Sequence, residues 1–178
     1  HWTTDSVFDY AIASGHFTYQ ISKYSKMQFG TGKNFIGDGY RSLILSDNAF
    51  NYPYLKIQTT AGIFQYTNLY MEHLDLISNP SEEFTYDKKY MTLHHLSANV
   101  TERLNIGIFE SVIWENNRTP EISGFDIAYL NPIIFLRPVE FSLNSSDNVL
   151  MGMNYKFKIS NNSHLYGQFV LDEFSLPD

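Results

Sequence analysis

Apolar residues fall at every second position along much of this chain. In "NVLMGMNYKFKIS", Val149, Met151, Met153, Tyr155, Phe157 and Ile159 share one face, and Leu150, Gly152, Asn154, Lys156, Lys158 and Ser160 the other. Period-two alternation of this kind is the signature of a β-strand with two unlike faces. The polar run "SNNSH" then predicts a turn, and "LYGQFVLDEF" the return strand, with Leu165, Gly167, Phe169 and Leu171 on one side. The same grammar recurs three times. "HFTYQI" meets "KMQFG" through "SKYSK", "YLKIQT" meets "FQYTNLYMEHLDL" across Ala61-Gly62, and "TLHHLSANVT" meets "LNIGIFESVIW" across Glu102-Arg103. Four hairpins predict eight or so strands. No segment reads as a helix of ordinary length. "SEEFTYDKKY" is expected to be a charged loop or strand tip, and "ENNRTPEISG" a loop.

These expectations add up to an all-β antiparallel meander, one unit over residues 1–178. A meander manages its edges by packing as a sandwich or by closing into a barrel. Periodicity alone does not choose, because strands alternate in both. Two features favour part of a transmembrane outer-membrane β-barrel: the run over 149–160 has the length of a tilted membrane strand of ~9–11 residues, and aromatic residues are dense. Closure with eight strands is not assumed, because the chain ends in "FSLPD" and not on a terminal aromatic strand. It also opens on "HWTTDSVFDY", with neither an initiator Met nor a basic leader, which suggests a stretch of a longer protein.

Composition narrows the functional classes. The 178 residues include no cysteine, so thiolate metal sites and disulfides are out of reach. Twelve basic residues stand against 19 acidic ones, a formal net charge of −7 without a basic stripe, which argues against nucleic acid as a partner. Phe, Tyr and Trp make up 16 % of the chain, and Tyr and Trp suit boundaries between water and apolar matter, such as membrane interfaces and sugar-stacking platforms.

Three stretches are candidates for chemistry. "GKNFIGDGYRSLILSDN" (residues 32–48) lacks the strand, the helix and the Gly-Lys-Ser/Thr of a phosphate loop. Gly37 and Gly39 allow a folded-in loop in which Arg41 pairs with Asp38 or Asp47; an Arg beside glycine-rich backbone equally suits the carboxylates of acidic sugars. In "HHLSAN", His95, Ser97 and Asn99 point to one side, a spacing similar to that of an outer-membrane phospholipase in which His activates Ser. The same residues are ordinary for the water-facing side of a strand, and no oxyanion hole is evident. His94 and His95 point to opposite faces and do not chelate one metal together, so no metal site is expected. In "GFDIAYLNPIIFLRPVEFSL", Pro132 and Pro138 exclude a regular central strand. An inward-folded loop or short helix that plugs or caps is expected there, with Arg137 and Glu140 as an ion pair or as ligand contacts.

The block Gly37-Asp38-Gly39-Tyr40-Arg41-Ser42-Leu43-Ile44-Leu45-Ser46-Asp47-Asn48, followed in order by the other quoted segments, resembles the RemB-type gliding-motility proteins. More loosely it is similar to the Wzi-type capsule-assembly outer-membrane proteins. The resemblance implies a many-stranded barrel in a bacterial outer membrane, longer than this chain, without cofactor or catalysis. Its implied partners are the lipid bilayer, surface polysaccharide and other outer-membrane or motility proteins. No catalytic residue carries over. As ligand contacts the block offers Asp38, Tyr40, Arg41, Asp47 and Asn48, to which the residues themselves add Arg137 and Glu140. Three rivals are a purely structural subunit of a surface complex, a lipase-like barrel using His95 and Ser97, and a soluble sandwich.

Overall fold

The computed structural model describes residues 13–75, 87–115, 117–119, 122–123, 125, 127–133 and 148–172. Eight strands form a single antiparallel sheet in the order β1 (Gly15–Gln20), β2 (Ser25–Gly32), β3 (Tyr52–Ala61), β4 (Phe64–Asp75), β5 (Asp87–Asn99), β6 (Leu104–Glu115), β9 (Asn148–Lys158) and β10 (His164–Leu171). The four hairpins expected from alternation are all present. Between β6 and β9 the chain makes a small ribbon of β7 (Asn117–Thr119) and β8 (Ile122–Ser123), where only a loop was expected, and then one 3-10 turn at Ile127–Leu130. β5 begins inside the charged run at Asp87, and the part of that run over 81–86 lies outside the described residues. The sheet is not closed into a barrel: among the described residues β1 and β10 each pair on one side only.

The register assigns every strand residue to one of two faces. On the inner face lie Tyr54 and Lys56 of β3, Thr67, Leu69 and Met71 of β4, Met91, Leu93, His95 and Ser97 of β5, Gly107 and Phe109 of β6, Leu150, Gly152, Asn154, Lys156 and Lys158 of β9, and Gln168 and Val170 of β10. The outer face carries Phe17 and Tyr19, Met27 and Phe29, Leu55 and Ile57, Phe64 and Tyr66, Leu96, Ile106 and Ile108, Met153, Tyr155 and Phe157, then Leu165 and Phe169.

Each face is covered at one end by an irregular segment. Residues 33–51, between β2 and β3, fold back across the inner face. Their Ile36 and Ile44 join Tyr52, Tyr54, Leu69, Met71, Met91, Leu93 and Phe109 in the larger apolar cluster, with Leu45, Leu150 and Val170 packed against it. The loop also bonds to β10, which five pairings separate from β3, so the sheet must curl around it. Phe125 and Tyr129 lie on the opposite, outer face against Tyr90 and Trp114. Tyr70 Oη donates to the Leu130 carbonyl at 3.1 Å, and Tyr66 Oη to that of Pro132.

The "GFDIAYLNPIIF" stretch, expected to fold inward, therefore packs outward as far as it is described. The reason is register: the aromatic partners that Phe125 and Tyr129 need, Tyr90 and Trp114, alternate to the outside of β5 and β6.

Candidate functional site

The folded-in loop is shaped by the residues that made it conspicuous. Gly37 and Gly39 have φ of 117° and 93°, a region that side chains other than glycine occupy at a cost. Neither has room for a Cβ: at Gly37 it would strike Ser42 and Gln168, and at Gly39 the ring of Tyr166. Ser42 Oγ donates to the Ile36 carbonyl and accepts from Ile44 N at 3.0 Å, and Ile36 and Leu45 form an isolated antiparallel bridge. The loop is then clamped to the far strands. Gln168 accepts from Leu43 N at 2.7 Å and donates to the Asp38 carbonyl and to Ser42 Oγ, both at 3.1 Å. At the near end, Asn34 N donates to Tyr52 Oη at 3.0 Å, and Lys56 Nζ donates to Asn34 Oδ1 at 2.9 Å.

Beside this clamp, where the loop stops and the apolar cluster ends, the inner face opens into a polar basin of about 490 Å³. Its floor is a chain of three side chains. Asn154 Nδ2 donates to Asp38 Oδ2 at 2.7 Å, and Asn154 Oδ1 lies 2.9 Å from His95 Nε2, which therefore carries the proton of that bond. Gly107 makes the reach possible: a Cβ there would meet Asn154 Oδ1 and His95 Nε2. Around this floor stand Lys56, Gln58, Gln65, Ser97, Asn105, Arg103, Lys156 and Lys158. Among the described residues no group of three His, Asp or Glu lies close enough to hold a metal ion.

Compared with protein-family models, with curated proteins and with solved structures, the chain matches none.

The expected ligand contacts are thus dispersed. Of those that are described, Asp38 alone enters the basin, through Asn154. Tyr40 is 84 % exposed and Arg41 lies over its ring, 5.7 Å from the centroid. The expected ion pair of Arg41 with Asp38 or Asp47 does not form, because the Asp38 carboxylate turns inward to Asn154 while Arg41 stays in solvent. Asp47 and Asn48 sit in an exposed turn away from the basin. Arg137 and Glu140 lie outside the described residues. His94 and His95 do point to opposite faces, His94 towards Glu110 at 3.8 Å on the outside. Ser97 makes no hydrogen bond among the described residues, and His95 Nε2 is bonded to Asn154 Oδ1.

Among the residues that build the basin and were not singled out as site residues are Asn34, Lys56, Arg103, Asn154, Lys156 and Lys158. Their signal was present in β9, where Asn154, Lys156 and Lys158 form the polar half of the clearest alternation in the chain.

Proposed function

We propose that this sheet is part of the wall of an outer-membrane β-barrel that holds surface glycan on its inner face without catalysis. The carrying observation is that the two ends of the ladder differ. Every connection at one end is a short turn: 21–24, 62–63, 100–103 and 159–163. Every connection at the other end is long: 33–51, 76–86 and 116–147. Short turns on one side and long loops on the other are the habit of bacterial outer-membrane barrels.

The outer face supports the same reading. Many of its apolar side chains are bare, with Phe17, Tyr19, Phe29, Phe64, Met153, Phe157, Leu165 and Phe169 all exposed. The band slants across the ladder, from the row of Phe17 and Phe29 at β1–β2 to the rows of Met153 and Phe157 at β9. Strands tilted to a membrane normal by roughly 35–45° require such a slant. An exposed apolar sheet of this extent would make a water-soluble monomer prone to aggregate.

On this reading the open edges of β1 and β10 meet further strands of the barrel. The inner face offers Gln58, Gln65 and Asn105 to sugar hydroxyls. The resemblance to motility and capsule-assembly proteins adds the setting of gliding or capsule attachment. Folding the chain, within the longest protein that contains it, into detergent micelles tests this. Faster gel migration of unheated than of heated sample, together with retention of surface polysaccharide, is the expected result; a monodisperse protein in detergent-free buffer overturns the reading.

A further inference from the structure

We infer that the basin is a site for multivalent oxyanions, ligands that carry two or more phosphate or carboxylate groups. Four cations line it, Lys56, Arg103, Lys156 and Lys158, against the two carboxylates of Asp38 and Glu102. A fifth cation, Lys26, shares an adjoining depression with Lys56, lined otherwise by Thr18, Gln28 and Gln58. Five of the twelve basic residues of a chain with net charge −7 thus gather along one end of one concave face.

None of the five forms an ion pair among the described residues. Lys56 donates only to a neutral amide, and the Asp38 carboxylate is bonded to Asn154. Two lysines outside this group are paired, Lys88 with Glu72 at 2.8 Å and Lys89 with Glu115 at 3.9 Å. Like charges collected on a concave wall repel one another, and the wall focuses their field onto the space between them.

Lysine ammonium groups and the Arg103 guanidinium around one hollow suit phosphate and carboxylate oxygens alike. The volume of about 490 Å³ admits a ligand of three or four small units.

The inference uses the same basin as the glycan reading but does not depend on the sheet lying in a membrane. Calorimetric titration of the folded protein with tripolyphosphate, trigalacturonate and neutral maltotriose tests it. Binding of at least one of the two anions is expected, weakening with added salt. Which of them binds identifies the phosphate or the carboxylate source. Affinity for it should fall by about tenfold or more in Lys156→Gln/Lys158→Gln and in Arg103→Gln at the exposed turn, and stay unchanged in Lys88→Gln/Lys89→Gln. Failure of both anions to bind at millimolar concentration, or equal loss in the two lysine pairs, overturns the inference. Binding of maltotriose alone overturns it too while leaving the neutral-glycan reading in place. Loss of heat-modifiable migration would sink the membrane reading and leave this titration standing.

Discussion

Strands β4, β5 and β6 meet protein on both faces at one end and on neither face at the other. Towards the long connections, Leu69, Leu93 and Phe109 are sealed from inside by the folded-in loop, and Tyr90 and Trp114 from outside by Phe125 and Tyr129. Towards the short turns, the same strands are open to the basin within and expose Phe64 without. One ladder thus contains a stretch that resembles the middle layer of a three-layer soluble protein and a stretch that resembles a barrel wall. The difference arises in the connections. Long connections supply material to fold back over the strands they join, and turns of a few residues do not.

The sharpest way to break this comparison is to remove a side chain from the sealed end. Phe109 is 1 % exposed, and its ring lies over Gly152 of the next strand, where a Cβ would meet it. Phe109→Ala should destabilise by about 3–5 kcal/mol, and Trp114→Ala on the opposite face by a similar amount. Urea unfolding measures both. A cost below about 1 kcal/mol at Phe109, of the size expected for an unremarkable site, would mean that the loop does not seal the inner face.

The open end gives the next largest effect, and it depends on the solvent. Met153 lies on the outer face, 43 % exposed, in the row of Ile108 and Phe169. In a bilayer Met153→Lys should cost about 2–4 kcal/mol if the position lies near the midplane, since a charge there faces hydrocarbon. In a soluble sheet the same change at an exposed position should stay within about 0.5 kcal/mol. Unfolding from lipid vesicles distinguishes the two. A near-zero cost there would remove the lipid-facing assignment.

The division between legible and hidden follows physical range. Strand positions and hairpins were legible because period-two alternation is local and the chain keeps it faithfully, as at Val149–Phe157 against Leu150–Lys158. Gly37 and Gly39 were legible as a fold-in because a glycine pair in a polar run has few other uses. The destination of the fold-in was not, since Gln168 and Asn154 are far away in sequence and ordinary in type. The basin was hidden for the same reason: Lys56, Arg103 and Lys156 come from three hairpins, and only the pairing register gathers them. Arg41 misled because proximity in sequence to Asp38 and Asp47 was taken for proximity in space. The turn around Gly39 sends the Asp38 side chain inward and leaves Arg41 outside.

Two glycines with positive φ extend the comparison at smaller scale. Gly39, at φ 93°, lies under the ring of Tyr166, while Gly62, at φ 59° in the β3–β4 turn, has nothing within 4 Å of where a Cβ would stand. Gly62→Ala should therefore cost only the left-handed conformation, roughly 1 kcal/mol. Gly39→Ala adds a clash and should cost more, about 2–3 kcal/mol. The double variant Gly39→Ala/Tyr166→Ala, compared with each single change in urea midpoint, isolates the clash from the backbone term. Equal costs at the two glycines would show that the loop is not pressed onto β10.

The smallest expected effect carries the most weight for the site. Arg41 stood out in the sequence as a cation of the conspicuous block, yet it is exposed and, among the described residues, lies over the ring of Tyr40 alone. An exposed cation over a ring is worth about 0.5–1 kcal/mol at most, and a change at an open surface position usually stays within about 0.5 kcal/mol. Arg41→Ala should accordingly leave the urea midpoint nearly unmoved. It should also leave oxyanion affinity unchanged, because the basin cations are Lys56, Arg103, Lys156 and Lys158. If instead Arg41→Ala lowered that affinity as far as Lys156→Gln/Lys158→Gln, the loop would have to turn Arg41 over the basin when ligand binds. The recognition surface would then include the loop's outer side as well as the strands beneath it.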